Sequence, residues 1–404
     1  MKNAHRIIPT IPATIALLFL LASSNAWSQG SWVLLNAKAT ALVRSGTEAM
    51  YNMRYQEADS IFVQLIAYDS AHPAGYFLLA LVDWWRMVPN MDNRGAAFER
   101  VQQSFNGRID KVAEMCDHRL ERNPNDIVGL FFKGSALGYR ARMATTLTFV
   151  SSDPLTMADA LDEAYEAYQL ILRCQRLAPS NSDILLGSGL YNYLGAYIPE
   201  KYPVLKPMTS FLPPGDKAIG LSMLRLSGQK AVYAGTEARY SLLDILANME
   251  EDYGQALPIA RELHQQYPGN SVFYKFYARS LYQVSDFAAA DTAWHDILQR
   301  IKRRETGYEL TLARQGLYFV GDCRLRTGDL STALRTFDEA IKLSKRFDDD
   351  ESGWLVMSVL KRGMALDKLG RRREALEMYD EVLDYPNKRD SHAEAVRYIT
   401  KPYQ

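Results

Sequence analysis

The side chains that most often catalyse reactions or bind metals are sparse in this sequence. Its six histidines are scattered, and none forms an HExxH motif or pairs with a near neighbour on one helical face. Cys116 and His118 are two residues apart, which places them on different sides of a helix. Neither GxSxG nor a glycine-rich phosphate-binding pattern occurs. The sequence therefore predicts that the protein is not an enzyme and has no cofactor and no metal site.

Two charged runs could bind ions, but each has an ordinary structural interpretation. Asp348–Gly353 matches the first half of a calcium loop, yet Val359 occupies the position of the bidentate glutamate. We interpret this run, and the basic run Arg371–Arg373, as solvated turns. The cysteines lack CxxC or metal-ligand spacing and lie in apolar helical patterns, so we expect buried free thiols, with a Cys116–Cys174 disulfide as the alternative.

The N-terminus has the composition of an export signal. Lys2 and Arg6 precede the apolar run Ile7–Ala22, and Ala26–Ser28 fits the small-x-small rule for cleavage. We therefore expect residues 1–28 to be a cleaved signal peptide, with an uncleaved anchor as the alternative. The protein would be periplasmic or associated with the envelope in a Gram-negative source. Residues 29–404 carry a net charge of −2, which argues against nucleic acid as a partner.

One spacing recurs along the chain. A small residue is followed 12 residues later by alanine and 4 residues after that by an aromatic residue. The four copies are Gly46, Ala58 and Phe62; Ala278, Ala290 and Trp294; Gly321, Ala333 and Phe337; and Gly363, Ala375 and Tyr379. A weaker copy starts at Ala256, 34 residues before Ala290.

This pattern resembles the tetratricopeptide repeat, in which two antiparallel helices, A and B, form each unit. Small side chains allow the two helices to approach closely, and the aromatic residue fills the gap to the next unit. We predict an all-α protein, an α-solenoid of tetratricopeptide-type helix pairs spanning residues 29–404 as a single domain. The clearest repeats are expected at 39–72, 237–270, 271–304, 314–347 and 356–388, followed by a closing helix at 389–400, with Ser391 as its N-cap.

The A helices line the concave groove in tetratricopeptide arrays, and extended peptides bind there. Lys275 and Arg279 are four residues apart, so both could reach one carboxylate, although the asparagines that complete a carboxylate clamp are missing. Ordinary groove lining is the alternative. The residues predicted to face the groove and bind a partner are Lys275, Arg279, Tyr282, Tyr318, Asp322, Arg326, Met364 and Asp367.

A proline-rich insertion, expected at 199–215, interrupts the array near its middle. We expect the preceding helix to stop before Pro199 and Asp216 to cap the next helix. Loops of this length tend to be functional. The insertion is rich in apolar residues that soluble proteins seldom expose, so we predict that these four are mostly buried against the array: Tyr202, Leu205, Met208 and Phe211.

The sequence from Leu186 to Leu221 is similar to the central signature of the tetratricopeptide-repeat protein 39 and inclusion-body-clearance family. The shared features are a glycine-rich helix, a proline-basic break and a Gly-Asp-basic-x-x-Gly-Leu element, here Gly215–Leu221. Phe131–Val150 resembles the helix that precedes them in that family, while Phe211–Pro214 departs from its pattern. The resemblance implies scaffolding rather than catalysis.

These observations predict an exported scaffold that binds a protein or peptide partner of unknown identity in its concave groove, in cell-envelope assembly. The alternative is a protein that binds a small apolar or lipid ligand, with residues 197–212 as a lid. In a related alternative, the same residues make a peripheral contact with a membrane surface.

Overall fold

The computed structural model describes residues 37–91, 95–151, 154–209, 212–347 and 352–404, with 145–160 and Met208 described by their backbone only. The predicted signal peptide and most of the acidic run Asp348–Gly353 lie outside these ranges. Within them, no helix is long and apolar enough to cross a membrane.

Helices form almost all of the regular structure in the described residues. Their bounds in chain order are α1 Ala37–Tyr51, α2 Tyr55–Tyr68, α3 Ala74–Met87, α4 Ala96–Arg122, α5 Ile127–Ser151, α6 Pro154–Leu177, α7 Leu185–Lys201, α8 Lys206–Thr209, α9 Lys217–Lys230, α10 Gly235–Asn248, α11 Tyr253–Gln266, α12 Ser271–Gln283, α13 Phe287–Lys302, α14 Leu310–Thr327, α15 Leu330–Phe347, α16 Gly353–Lys368, α17 Arg372–Asp384 and α18 Ser391–Thr400. Short 3₁₀ helices follow α3 at Val88–Asn90 and α7 at Pro203–Leu205.

Consecutive long helices pack against each other along the chain, which confirms the predicted all-α solenoid. Some helices also contact the next but one along the chain: α10 contacts α12, α14 contacts α16, and α16 contacts α18. Because these first helices of successive pairs contact one another directly, they form the inner layer of the array. The inner layer is therefore where a groove residue should lie.

The recurring spacing corresponds to a repeated helix contact. A side chain built on Gly321 would meet the Phe337 ring at 2.6 Å, and one on Gly363 would meet the Tyr379 ring at 2.6 Å. Gly46 faces Phe62 in the same way. At these three positions glycine leaves room for the ring of the neighbouring helix, and the remaining copy has the small residue Ala278 there. The recurring spacing therefore indicates a close contact between helix A and helix B.

The middle of the array contains a closely packed helix pair, α7 and α9. A side chain on Gly220 would lie 2.6 Å from the Tyr193 amide nitrogen and 2.8 Å from the Gly189 carbonyl oxygen. Gly215 is as tightly placed against the backbone of Asn192. The glycines of the central signature therefore serve close backbone packing.

The boundaries of this pair agree with one prediction and correct another. Asp216 caps α9 as predicted, because its carboxylate accepts a 2.9 Å hydrogen bond from the Ile219 amide. The expected stop before Pro199 is wrong, since α7 continues to Lys201 and the Tyr202 amide still bonds the Ile198 carbonyl at 2.9 Å. A proline this close to the helix end removes one hydrogen bond without ending the helix.

The tip of the insertion is partly covered by the array. Tyr202 and Leu205 are mostly buried, as predicted, whereas Val204 between them is 82% exposed. The 3₁₀ turn that starts at Pro203 points Val204 away from the array. The side chains of Met208 and Phe211 lie outside the described residues, so the prediction is untested for these two.

The structure also tests the predictions for the cysteines and for the N-cap of the closing helix. All three cysteines are buried and free, and burial raises the pKa of each thiol to about 12. Ser391 is not the N-cap of the closing helix; Asp390 holds that position. Ser391 is buried, and its hydroxyl accepts a hydrogen bond from the Lys388 amide at 3.1 Å.

The first helices also contact the middle of the chain. The Tyr51 hydroxyl and the Trp85 indole donate to the buried Glu237 carboxylate at 3.0 and 2.6 Å. The Asn270 side-chain amide donates to the Tyr51 carbonyl at 2.8 Å. These bonds join α1 and α3 to α10 and the start of α12. Trp85 is fully buried among aromatic rings here, so this part of the inner side is core rather than groove.

His264 lies where the first core meets the second. Its ring stacks on Tyr274 at 4.0 Å, and burial first and the Arg300 charge second lower its pKa from 6.5 to about 4. An unfolded chain binds this proton near pH 6.5. The contribution of His264 to the free energy of unfolding is therefore complete above about pH 6.5 and is lost as the pH falls through 4.

We expect this titration to cost the folded state about 1–2 kcal/mol between pH 6.5 and pH 4, less than the full pKa shift implies because the ring is partly exposed. His264→Phe should remove that part of the pH dependence in urea unfolding curves. His295→Gln, which changes an exposed histidine on α13, should keep the wild-type slope. Equal slopes in all three proteins would show that His264 titrates normally.

Candidate interaction surface

The structure brings together three of the predicted groove residues on the inner layer. Tyr282 ends α12, and Asp322 and Arg326 lie four residues apart on α14. The Tyr282 hydroxyl donates to the Asp322 carboxylate, and Arg326 Nε donates to the same carboxylate at 2.6 Å. Lys361 on α16 completes the set, 3.3 Å from the other Asp322 oxygen. We call these four residues the Asp322 cluster; they connect three successive helix pairs.

Charge in the Asp322 cluster is largely buried. Asp322 is 1% exposed and Lys361 9% exposed. Burial by itself would raise the pKa of Asp322, but Lys361, the Tyr282 hydroxyl and Arg326 together hold it below its ordinary range. Burial and the nearby Asp322 raise the pKa of Tyr282. The carboxylate therefore stays ionised at neutral pH, with cations on two sides.

Lys361 was missed from the sequence, although its position carried a signal. Two residues before the small residue, the first copy has the exposed Arg44, and the later copies have Phe276, Phe319 and Lys361 in turn. Phe276 and Phe319 are core aromatic residues. Lys361 occupies the same buried position as these two aromatic residues, and a buried charge requires a partner of opposite charge.

An aromatic and basic rim adjoins the Asp322 cluster. Trp354 of α16 packs against Tyr318 of α14, with ring centres 5.5 Å apart. The Arg389 guanidinium lies over the Trp354 ring at 5.3 Å. Arg389 is exposed and makes no ion pair with any residue that the structure describes. The charge of Arg389 also acts on the Tyr318 hydroxyl. Burial and Asp322 raise the pKa of Tyr318, and Arg389 and Arg326 offset part of that rise.

The remaining predicted residues lie elsewhere. Lys275 and Arg279 do not share a carboxylate, because Arg279 donates to Asn248 at 2.6 Å and to the Tyr253 hydroxyl at 2.5 Å. Met364 is 4% exposed and belongs to the core. Asp367 accepts bonds from Arg372 at 3.0 Å and from Tyr379 at 2.8 Å. Arg279, Met364 and Asp367 are engaged in helix packing, and the candidate interaction surface is the Asp322 cluster with its rim.

Two clefts lie away from this surface, one near Asn52 and Glu305 and one near Arg44 and Arg239. Among the described residues, no group of three or more His, Cys, Asp or Glu side chains could hold a metal ion.

Comparisons with known proteins return helical repeat structures. No protein-family model matches the chain, and no curated protein matches it. The structure of a tetratricopeptide repeat protein from Parabacteroides merdae is similar at 14% identity and a TM-score of 0.31, covering 80% of this chain and 99% of that one. Yeast Tom70 is similar at 12% identity and a TM-score of 0.26, covering 90% and 95%. A Rap protein, solved in complex with competence and sporulation factor, is similar at 10% identity and a TM-score of 0.40, covering 91% and 97%.

At these identities and TM-scores the matches carry no argument about function. The likeness to the tetratricopeptide-repeat protein 39 family remains a resemblance of sequence. What the chain's own helix packing establishes is an all-α array of tetratricopeptide-type helix pairs, with a basic and aromatic surface on the inner layer of its last pairs.

Proposed function

We propose that the protein is an exported, non-enzymatic scaffold that binds an acidic segment of a protein partner, in assembly of the cell envelope. The binding surface is the Asp322 cluster with its rim, on the inner layer formed by α12, α14 and α16. The observation that supports this proposal best is Arg389, an exposed cation stacked on Trp354 and without an ion pair among the described residues.

The charges around Tyr318 favour an acidic partner. Arg326, Lys361 and Arg389 outnumber the acids near this ring, Asp322 and Glu394. The Asp322 carboxylate is already engaged by its own cluster, whereas the Arg326 side chain is 41% exposed. A guanidinium held against an aromatic ring keeps its donors free for a carboxylate and loses little conformational freedom on binding.

A short fluorescein-labelled peptide of alternating glutamate and leucine should bind, and its lysine counterpart should not. Arg389→Gln should weaken binding about tenfold, the effect of losing one charge-assisted contact of about 1.5 kcal/mol. Arg373→Gln removes the same charge from a side chain that is 94% exposed at the α16–α17 turn, so it should bind like wild type. Fluorescence anisotropy measures both. Equal binding by Arg389→Gln and wild type would contradict the proposal.

A second candidate function is contact with a membrane surface through residues 197–212. Val204 is 82% exposed and stands between the exposed lysines Lys201 and Lys206. An apolar side chain flanked by cations fits the headgroup region of an anionic bilayer. A small apolar ligand is less well supported, because the two clefts are lined mostly by polar and charged side chains.

Sedimentation with vesicles distinguishes this second function from the first. Wild-type protein should sediment with phosphatidylglycerol vesicles and not with phosphatidylcholine vesicles. Val204→Asp should lower the bound fraction about tenfold, because burial of a valine side chain stabilises by about 1.5 kcal/mol. Val396→Asp changes a valine on α18 that is 53% exposed and should have no effect. Sedimentation that is the same for Val204→Asp and wild type would exclude the tip as the contact.

A further inference from the structure

A polar cleft of about 350 Å³ lies where the first helix meets the middle of the array. One wall is α1 from Val43 to Tyr51, and the other is the α9–α10 connection with the end of α11. This volume is at the lower end of the range for small-molecule sites. Nothing in the proposed partner surface involves it.

Arg239 is the best-placed cation of this cleft. Its Nη2 donates to Gln266 at 2.7 Å and to the Thr236 hydroxyl at 3.4 Å, which fixes the guanidinium. Its Nε is buried and has no partner among the described residues. A side chain on Gly228 would lie 2.9 Å from Arg239 Cγ, so the glycine leaves room for the arginine stem. Its other amino group, Nη1, is not buried and donates to no described residue, so it is available to a ligand oxygen.

The other lining residues add positive charge and flat apolar surface. Arg44 is exposed on α1 and has no side-chain partner among the described residues, while Glu48 is the one acid that lines the cleft. The rings of Tyr51 and Tyr267 lie 5.1 Å apart at an angle of 47° on one side, and they are 3% and 6% exposed, so a small part of each ring is accessible from the cleft. Two guanidinium groups beside aromatic rings are suited to an oxyanion attached to a small planar group.

The N-terminus of α10 opens on the same cleft. Its N-cap is Ala234, which offers no side-chain acceptor, and Gly235 and Thr236 line the cleft. Asp183 accepts the amides of Tyr233 and Ala234 at 2.8 Å and leaves the amides that follow without an acceptor among the described residues. Asp183 and Glu237, the acid in the first turn of α10, offset the positive end of this helix, so the two arginines are the cations that an anion would meet.

We propose that this cleft binds a small molecule in which a carboxylate or phosphate group is attached to a planar body. The oxyanion is held by the Arg239 guanidinium and by Arg44, and the planar body lies beside the small accessible parts of Tyr51 and Tyr267. Because one wall belongs to α1 and the other to α9–α11, the bound molecule stabilises the contact between the first helices and the middle of the chain.

Isothermal titration of the full chain tests the site with three probes: benzoate, phenyl phosphate and the uncharged benzyl alcohol. We expect at least one anion to bind and benzyl alcohol not to bind, and the two anions distinguish a carboxylate from a phosphate ligand. Hydrogen exchange in residues 43–51 should slow when the anion is bound. Binding of neither anion, or equal binding of benzyl alcohol, would overturn the proposal.

Variants locate the binding. Arg239→Gln and Arg44→Gln should each weaken anion binding about tenfold, the effect of one lost charge-assisted contact. Arg373→Gln removes an equal charge far from the cleft and should bind like wild type. Arg44 is exposed, so its replacement decides the question even if Arg239→Gln does not fold. Unchanged affinity in Arg44→Gln, or in a folded Arg239→Gln, would place the anion elsewhere.

Discussion

Gly220→Ala is expected to lower the free energy of unfolding by about 3 kcal/mol, at the upper end of what overpacking costs. The added methyl group would lie 2.6 Å from the Tyr193 amide nitrogen and 2.8 Å from the Gly189 carbonyl oxygen. Both contacts are with backbone, which cannot rotate away as a side chain can. The helices α7 and α9 would have to separate, and urea unfolding followed by circular dichroism measures the loss.

The matched control is Gly107→Ala in α4. Gly107 is exposed in the middle of a helix, and no atom lies within 4 Å of a side chain built there. The same substitution should therefore stabilise the protein by about 0.5–1 kcal/mol, because alanine favours the helix. If Gly220→Ala were as stable as wild type, α7 and α9 would not be as close as the structure places them.

Asp322→Asn is expected to destabilise the protein by about 3–5 kcal/mol, the usual cost of removing one partner of a buried ion pair. The substitution keeps the shape of the side chain but leaves Lys361, which is 9% exposed, without its counter-ion. The Tyr282 hydroxyl and Arg326 lose a charged acceptor at the same time. All three helix pairs that meet at this carboxylate are affected.

Two further variants separate charge from packing. Asp322→Asn with Lys361→Met should recover much of the stability, because no buried charge remains unpaired. Asp338→Asn breaks an ion pair between Arg362 and a carboxylate that is 55% exposed, and should cost less than about 1 kcal/mol. An equal effect of Asp322→Asn and Asp338→Asn would contradict a buried role for Asp322.

The pH dependence of the same variant follows from the lowered pKa of Asp322. A carboxyl whose pKa is depressed in the fold contributes stability that is complete above its unfolded pKa of about 4 and is lost as the pH falls through the folded value. The difference between wild type and Asp322→Asn should therefore shrink below about pH 4 and stay constant above pH 5.

The helix pairs could be predicted from the sequence because they depend on contacts between residues that are close in the chain. The spacing of small and aromatic residues in Gly321 and Phe337, or in Gly363 and Tyr379, describes a contact between neighbouring helices only 16 residues apart. Asp216 could be assigned as a cap because its carboxylate bonds an amide three residues on. The same local reasoning failed at Pro199, where a helix end tolerates a proline.

Only some residues of the candidate interaction surface could be predicted from the sequence. Tyr282, Asp322 and Arg326 were recognised from their helical positions, but their counter-ion Lys361 was not, because it reaches Asp322 from the next helix pair. Arg389 and Trp354 were missed as well. They meet through the loop before the closing helix, and no periodic pattern specifies the path of that loop.

The sequence by itself determined the all-α class and the approach of helix A to helix B, since these depend on contacts between residues close in the chain. The tertiary structure decided where the inner face is filled and where it remains available to a partner. Tyr51 and Glu237 are 186 residues apart, and Asn270 reaches back to the Tyr51 carbonyl across 219. Such contacts arise from the small rotation between successive pairs, summed over many repeats, which no single repeat reveals.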